Sequence, residues 1–123
     1  MAREDFFCRL SALSKQLGID LQEVQLQQFY SYYTLLVEKN KVMNLTAITE
    51  EDDVIVKHFI DSLAMAKLNV SRETFSNWIE GKRCMDVGTG AGFPGLAIKI
   101  AFPGISLSLI DSLQKRIHFL EEV

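Results

Sequence analysis

The sequence lacks the features that would place a protein in a membrane or in an oxidising compartment. No apolar run approaches the roughly 18 residues that a membrane-spanning helix requires. The amino terminus becomes acidic at Glu4 and Asp5 and does not have the basic and then apolar layout of a signal peptide. Its two cysteines, Cys8 and Cys84, lie far apart and show no metal-ligand spacing. We therefore expect a cytoplasmic protein with reduced thiols and without a metal site.

A surplus of positive charge is also missing. Lysine and arginine number 13 against 16 aspartates and glutamates, which gives a net charge of −3. Such a chain does not offer the broad positive field of a non-specific nucleic-acid binder, although it can still hold a local basic groove. Its 48% of hydrophobic residues are typical of a globular protein, and a length of 123 residues provides for one modest core.

The first 80 residues have helical patterns. A first helix is predicted over Asp5–Leu17 and ends at Gly18, which can adopt the left-handed conformation. Asp20 is the predicted N-cap of a second helix, with Glu23 as its capping-box partner. That helix carries a stripe at i, i+3, i+4, i+7 and i+8 spacing, formed by Phe29, Tyr32, Tyr33, Leu36 and Val37. We interpret the stripe as core rather than as a base-stacking surface.

Two further helices are predicted before residue 80. Thr49 would cap the first of them, and the apolar side chains that this helix directs inward are Val54, Ile55, Phe59 and Leu63. Ser71 or Thr74 would start a short helix that ends before Gly81. His58 and Asp61 have i, i+3 spacing, and we interpret them as a polar pair or a contact with the following domain rather than as a catalytic dyad.

After residue 80, strand and helix alternate. Arg83–Val87 is a predicted strand that leads into glycines, and Pro94 suits the first turn of an apolar helix. Phe102-Pro103-Gly104 ends that helix, Ile105–Ile110 is the next strand, and a last helix runs from Leu113 onward. This order is a βαβ unit with a parallel strand pair. Because two strands do not make a full parallel sheet, we expect the chain to end partway through its second domain.

The loop after the first of these strands is rich in glycine, at Gly88, Gly90, Gly92 and Gly95. Glycines allow a sharp turn and the close approach of a ligand. The helix that begins near Pro94 directs its first N–H groups toward the same space. The pattern predicts a ligand site at the end of the strand, and the alternative is a turn with a structural role only.

Two classes of ligand fit this loop. Gly90-Ala91-Gly92-Phe93-Pro94-Gly95 matches the dinucleotide fingerprint, and Asp111 follows about 20 residues on, where a ribose-binding acid belongs. The other interpretation uses Asp86 as an acid before the glycines, which would repel a pyrophosphate but suits the cationic sulfonium and ammonium groups of S-adenosylmethionine. Pro94 also removes one N–H from the helix start that would hold phosphate. We favour S-adenosylmethionine; an oxidoreductase fragment that binds NAD or FAD is the alternative.

Several segments together resemble one enzyme family. The stretch Gly88–Gly95, followed by Asp111–Arg116, closely resembles the RsmG (GidB) bacterial methyltransferases. Upstream, Asn44–Ile48 and Lys57–Leu63 are similar to two other segments of that family. The resemblance covers most of residues 30–123, and the combination is far more specific than the glycines alone.

The resemblance implies a methyltransferase that modifies N7 of a guanosine in 16S rRNA with S-adenosylmethionine as cofactor. It implies an α/β fold in which residues 1–80 form a helical N-terminal extension and residues 81–123 form the first, incomplete βαβ part of a Rossmann-like methyltransferase domain. The expected partner is 16S rRNA or the small ribosomal subunit, not a membrane or DNA, and the full-length protein is expected to be a monomer. A non-catalytic truncated chain is the alternative.

The glycine loop and the resemblance together define a set of predicted cofactor-binding residues. The set is Asp86, Gly88, Gly90, Gly92, Phe93, Asp111, Ser112 and Leu113. The assignment of Phe93, Ser112 and Leu113 rests on the resemblance. Guanine N7 has an available lone pair, so methyl transfer requires alignment and exclusion of water more than proton transfer. We therefore predict no catalytic acid or base and no metal ligand.

The predicted contact between Asp111 and the ribose hydroxyls can be tested directly. The substitution Asp111→Ala should weaken S-adenosylmethionine binding by about 1–3 kcal/mol, the scale for losing a hydrogen bond to a charged group. Calorimetric titration of the chain measures this difference. An unchanged dissociation constant would remove Asp111 from the site.

Overall fold

The structure is a computed structural model that describes residues 3–43, 50–64, 69–70, 73–74, 78–87, 91–110 and 121. The helices are α1 (Arg3–Gln16), α2 (Glu23–Met43), α3 (Glu51–Asp53), the π-helical segment π1 (Val54–Ile60), α4 (Asp61–Leu63) and α5 (Gly95–Ala101). The strands are β1 (Asn69–Val70), β2 (Glu73–Thr74), β3 (Arg83–Val87) and β4 (Ser106–Ile110). Within these ranges, no helix combines the length and the apolar character that crossing a membrane requires.

The predicted end of the first helix is confirmed at Gly18. This glycine has a φ of 79°, in the left-handed region. Its N–H donates to the Lys15 carbonyl at 3.0 Å, and the Ile19 N–H donates to the Ser14 carbonyl at 3.0 Å. The two bonds form a Schellman motif, which satisfies carbonyls at the end of α1 and brings the buried Ile19 side chain against the core.

The predicted capping box of the second helix is wrong. Glu23 is already the first residue of α2. The Gln22 N–H donates to Oε1 of Gln25 at 2.7 Å. The Gln25 side chain therefore satisfies the backbone N–H of the residue just before the helix. A glutamine side chain is as long as the glutamate that the motif requires. The cap therefore lies at Gln22, two residues beyond the predicted Asp20.

The segment from Glu51 to Leu63 is helical without a break, with π-helical turns in its centre. The Asp61 N–H donates to the Val56 carbonyl, five residues back. All four apolar residues that the sequence directed inward here are buried, namely Val54, Ile55, Phe59 and Leu63. The predicted cap Thr49 lies outside the described residues. Single π-helical stretches of this kind are frequent at functional sites.

The region before residue 80 also contains two short paired strands. Asn69 pairs with Thr74 and Val70 with Glu73 in an antiparallel arrangement. The prediction that Thr74 starts a helix is therefore wrong, and so is the expectation of helices alone before residue 80. Ser71 lies outside the described residues. The β-branched Val70 and Thr74 favour the extended conformation, and this local preference is stronger here than the weak helix-start signal.

The predicted βαβ unit is confirmed. Strands β3 and β4 are parallel, in a register that joins Arg83 to Ser106 and Val87 to Ile110. Helix α5 packs against one face of this pair. Pro94 lies one position before α5, and its carbonyl accepts a hydrogen bond from the Ile98 N–H at 3.1 Å. The predicted last helix starts at Leu113, outside the described residues.

One face of the β3–β4 pair is covered and the other is exposed. Side chains alternate between half-buried and exposed along both strands. On the exposed face, Met85, Val87 and Ile110 are 65%, 70% and 45% accessible. Parallel strands are usually covered on both faces, so this apolar face is the least shielded part of the sheet.

The core joins the N-terminal helices to the βαβ unit. Three residues of the predicted stripe on α2 are confirmed as core, since Phe29, Tyr32 and Leu36 are at most 1% exposed, whereas Tyr33 and Val37 are half-buried. Phe59 lies at the centre of a cluster of rings. Its ring centroid is 6.4 Å from that of Phe6, 4.9 Å from Phe29, 5.5 Å from Tyr32 and 5.8 Å from Phe93.

The central position of Phe59 predicts a large effect of its truncation. The substitution Phe59→Ala should lower the free energy of unfolding by about 3–5 kcal/mol, because it opens a cavity among four other rings. The control Val24→Ala changes a side chain that is 64% exposed and should alter stability by about 0.5 kcal/mol or less. Urea unfolding followed by circular dichroism measures both. Equal effects of the two substitutions would contradict the central role of Phe59.

Candidate functional site

The carboxyl ends of the two parallel strands lie side by side. Val87 ends β3 and Ile110 ends β4, and the two residues are register partners. The predicted cofactor segments follow these two residues directly in the sequence. Of the predicted set, Asp86, Gly92 and Phe93 are described by the structure. Gly88, Gly90, Asp111, Ser112 and Leu113 lie outside the described residues.

The Asp86 side chain holds the start of α5. Its Oδ2 accepts a hydrogen bond from the Gly95 N–H at 3.0 Å. A Cβ atom on Gly95 would lie 2.8 Å from this oxygen and 2.8 Å from Cδ2 of Leu109. Gly95 therefore permits a close approach of helix to strand, and the negative charge of Asp86 lies at the positive end of the α5 dipole.

This contact bears on the choice between the two ligand classes. In a dinucleotide site, the first N–H groups of the helix bind pyrophosphate. Here a carboxylate of the chain itself accepts the hydrogen bond of Gly95, and a phosphate brought to the same place would meet a like charge. Gly95 is the last glycine of the dinucleotide fingerprint, and close helix–strand packing is the role that this glycine has there, so the charge of Asp86 and not the packing of Gly95 distinguishes the two ligand classes.

The turn before α5 is fixed by backbone conformation and by a side chain from α2. Gly92 is buried with a φ of 100°, a value that L side chains rarely adopt, and its carbonyl accepts the Leu96 N–H at 2.8 Å. The Tyr32 hydroxyl donates to the Ala91 carbonyl. Burial, and secondarily the charge of Asp86, raises the pKa of Tyr32 well above its ordinary value, so the hydroxyl remains a donor.

Phe93 connects the turn to the N-terminal helices through stacked rings. Its ring lies 4.3 Å from the His58 ring at an angle of 4° and 5.3 Å from the Tyr32 ring at 15°. The three rings are nearly parallel and lead from the buried Tyr32 to the half-buried His58. The sequence did not predict the Tyr32 contacts, because an apolar stripe on a helix indicates burial but does not indicate which residues the buried side chains contact. It did anticipate a contact of His58 with the following domain.

His58 and Phe93 form part of an open groove with a volume of about 430 Å³. We call it the His58 groove; its lining residues are Lys57, His58, Asp61, Ser62, Phe93 and Pro94. The Ser62 hydroxyl donates to the His58 carbonyl at 2.5 Å, and Lys57 Nζ lies 3.8 Å from the Asp53 carboxylate. Within the described ranges, no three His, Cys, Asp or Glu side chains come together as metal ligands would.

The environment of His58 predicts a pH dependence of stability. Burial lowers the pKa of His58 below 6.5, and the nearby Asp61 carboxylate opposes this only in part. Below pH 6.5 the unfolded chain therefore binds more protons than the folded chain, and stability should fall as the pH drops through this value. Substitution His58→Gln should reduce that slope.

Nuclear magnetic resonance titration of the imidazole signals measures the pKa of His58, with His118, the other histidine of the chain, observed in the same spectra. Urea unfolding at a series of pH values measures the slope in the parent chain and in His58→Gln. A His58 that titrates above 6.5 would contradict the burial argument.

Comparison with known proteins gives a consistent result. A family model described as rRNA small subunit methyltransferase G (GidB) matches residues 25–123. Curated relatives named Ribosomal RNA small subunit methyltransferase G include those of Lachnoclostridium phytofermentans, 51% identical over 109 residues, and Leuconostoc citreum, 50% identical over 114 residues. The relative from Leuconostoc mesenteroides is 47% identical over 127 residues.

These alignments cover 89%, 93% and 100% of the chain but 42%, 45% and 48% of the respective relatives. The chain thus spans about half the length of the curated relatives that it matches. The range matched by the family model begins within α2 and includes both the glycine loop and the stacked rings. The chain belongs to the rRNA small subunit methyltransferase G (GidB) family.

Proposed function

We propose that this chain carries the first part of an S-adenosylmethionine-dependent methyltransferase that acts on N7 of a guanosine in 16S rRNA. The observation that carries the proposal is the Asp86–Gly95 contact at the carboxyl ends of the strands. In this contact the Asp86 carboxylate places a negative charge at the end of β3, directly before the glycine loop. A cationic ligand is favoured there and an anionic one is disfavoured.

The residues of the loop fit this cofactor. Gly92 has a backbone conformation that leaves no side chain in the way, and Gly95 allows the strand and α5 to approach closely. Asp86 would face the cationic end of the cofactor, and Phe93 would contribute an apolar surface beside it. Gly88, Gly90, Asp111, Ser112 and Leu113 complete the proposed set, with Asp111 accepting hydrogen bonds from the ribose.

When bound, the cofactor supplies a methyl group on a positively charged sulfur. Bound at the loop, it would provide this methyl group for the lone pair of guanine N7, with S-adenosylhomocysteine as the product that leaves. No proton has to be removed before the attack, so the chain needs to bind, orient and shield the reactants. The turn from Ala91 to Pro94 suits this task, because Tyr32 and His58 hold it through a hydrogen bond and stacked rings.

The partner and the location follow from the same proposal. The relatives are named for the small-subunit ribosomal RNA. We propose that 16S rRNA, free or within the small ribosomal subunit, is the partner of the whole protein, that the whole protein is a monomer, and that it acts in the cytoplasm. Neither a membrane nor DNA is part of the proposal.

An oxidoreductase that binds NAD or FAD is the weaker candidate. It would use the helix start to hold pyrophosphate, at the place where Gly95 already donates to Asp86. Family membership also favours methyl transfer. The two candidates predict different ligands for the same loop, so one titration separates them.

Calorimetric titration of the chain with S-adenosylmethionine, and separately with NAD, is the test. We expect heat of binding with S-adenosylmethionine and none with NAD. The substitution Asp86→Asn keeps an oxygen that can accept from Gly95 but removes the charge, and it should weaken binding by about 1 kcal/mol. Asp5→Asn, an equal change of charge at an exposed position on α1, should leave the affinity unchanged.

Binding of NAD instead of S-adenosylmethionine would contradict the proposal. Binding that Asp86→Asn leaves unaltered would keep the cofactor but exclude the electrostatic role of Asp86. Because the asparagine variant retains the hydrogen-bond acceptor, its thermal unfolding should remain close to that of the parent chain, which separates a loss of affinity from a loss of folding.

A further inference from the structure

We propose that the His58 groove receives the guanine base that is methylated, with Asp61 accepting hydrogen bonds from the N1–H and the N2 amino group of that base. The inference rests on the proposed function, since it names the place where the RNA substrate is bound. It concerns residues of π1 and α4, which lie outside the cofactor set.

The groove adjoins the loop that is proposed to hold the methyl donor. Phe93 and Pro94 form one side of the groove, and they follow Gly92 directly in that loop. The other side of the groove is formed by π1 and α4, through Lys57, His58, Asp61 and Ser62. A base bound between these sides would lie next to the methyl donor, as the reaction requires.

The groove offers both a flat surface and sufficient space. Its volume of about 430 Å³ is within the range of small-ligand sites, about 300–1,000 Å³. His58 is parallel to Phe93, is only half-buried and lines the groove. Proteins bind unpaired RNA bases by stacking them on aromatic or histidine rings and by hydrogen bonds to the Watson–Crick edge.

The charges in the groove favour guanine over adenine. Asp61 is exposed, one helical turn after His58, and a carboxylate only accepts hydrogen bonds. Guanine presents two adjacent donors on its Watson–Crick edge, whereas adenine presents a ring acceptor in the middle of that edge. Lys57 is 59% exposed and lies loosely beside Asp53, so a phosphate of the same nucleotide can approach its ammonium group.

This orientation also suits the reaction at N7. N7 lies on the Hoogsteen edge of guanine, which is adjacent to the Watson–Crick edge but distinct from it. If Asp61 holds the N1–H and N2 amino group, N7 points away from the carboxylate and remains open to the methyl group. Histidine at position 58 supports stacking in its neutral form, which the lowered pKa of His58 favours near neutral pH.

The test is a titration of the chain with guanosine, inosine and adenosine 5′-monophosphates, followed through the imidazole resonances of His58. His118 serves as the internal comparison. We expect guanosine monophosphate to shift the His58 signals and to bind about tenfold more tightly than adenosine monophosphate, since one or more hydrogen bonds to a charged group distinguish them. Inosine monophosphate lacks the N2 amino group and should bind with intermediate affinity.

Substitution Asp61→Asn should bring the affinity for guanosine monophosphate down to that for adenosine monophosphate. The control Asp5→Asn removes the same charge from α1 and should leave the preference intact. Equal binding of the three nucleotides to the parent chain would overturn the inference, and so would the absence of any response of His58 to them. A shift of His118 alone would place the nucleotide elsewhere and overturn it as well.

The outcome can be separated from that of the cofactor proposal. Calorimetry on the same sample reports S-adenosylmethionine binding, and the histidine resonances report nucleotide binding. A chain that binds the cofactor but gives no guanine-selective response at His58 would refute the groove and leave the methyltransferase proposal intact. A guanine-selective response without cofactor binding would refute the cofactor site and support the groove.

Discussion

The hydrogen bond from the Gly95 N–H to Asp86 fixes how closely α5 approaches β3, and the rest of the site depends on that spacing. A side chain at position 95 would overlap both Asp86 and Leu109, so the approach requires glycine. The same carboxylate interacts favourably with the positive end of the helix dipole. Helix packing and the proposed ligand preference are thereby coupled, because one charged group both positions α5 and places a negative charge beside the glycine loop.

A second constraint ties the loop to the N-terminal helices. The Tyr32 hydroxyl binds the Ala91 carbonyl, and the Tyr32 ring stacks on Phe93. Phe59 packs against both of these rings from π1. The N-terminal helices therefore do more than pack against α5, since their aromatic residues contact the turn before α5 and hold it in place. A change in the packing of α2 or π1 would be transmitted to the turn through these rings.

The sequence was sufficient to predict the features that depend on local patterns. The apolar stripe of α2, the end of α1 at Gly18 and the βαβ order all follow from periodicity and from the conformations that glycine and proline adopt. The cap at Gln22 and Gln25 was missed because glutamine is a weaker sequence signal than the aspartate two residues earlier. The pairing of residues 69–70 with 73–74 was missed because strands of two residues are too short to show alternation.

The sequence predicts a chemistry for the site, but it could not predict the geometry that the structure shows. The residue types of the loop indicated a cationic ligand before any contact was known. The stacking of His58 on Phe93 joins residues 35 positions apart in the chain, and the hydrogen bond of Tyr32 to Ala91 joins residues 59 apart. Contacts at such separations arise from tertiary packing, which no local pattern encodes. The proposed reaction depends on alignment rather than on proton transfer, so these long-range contacts would contribute to it by holding the turn before α5 in place.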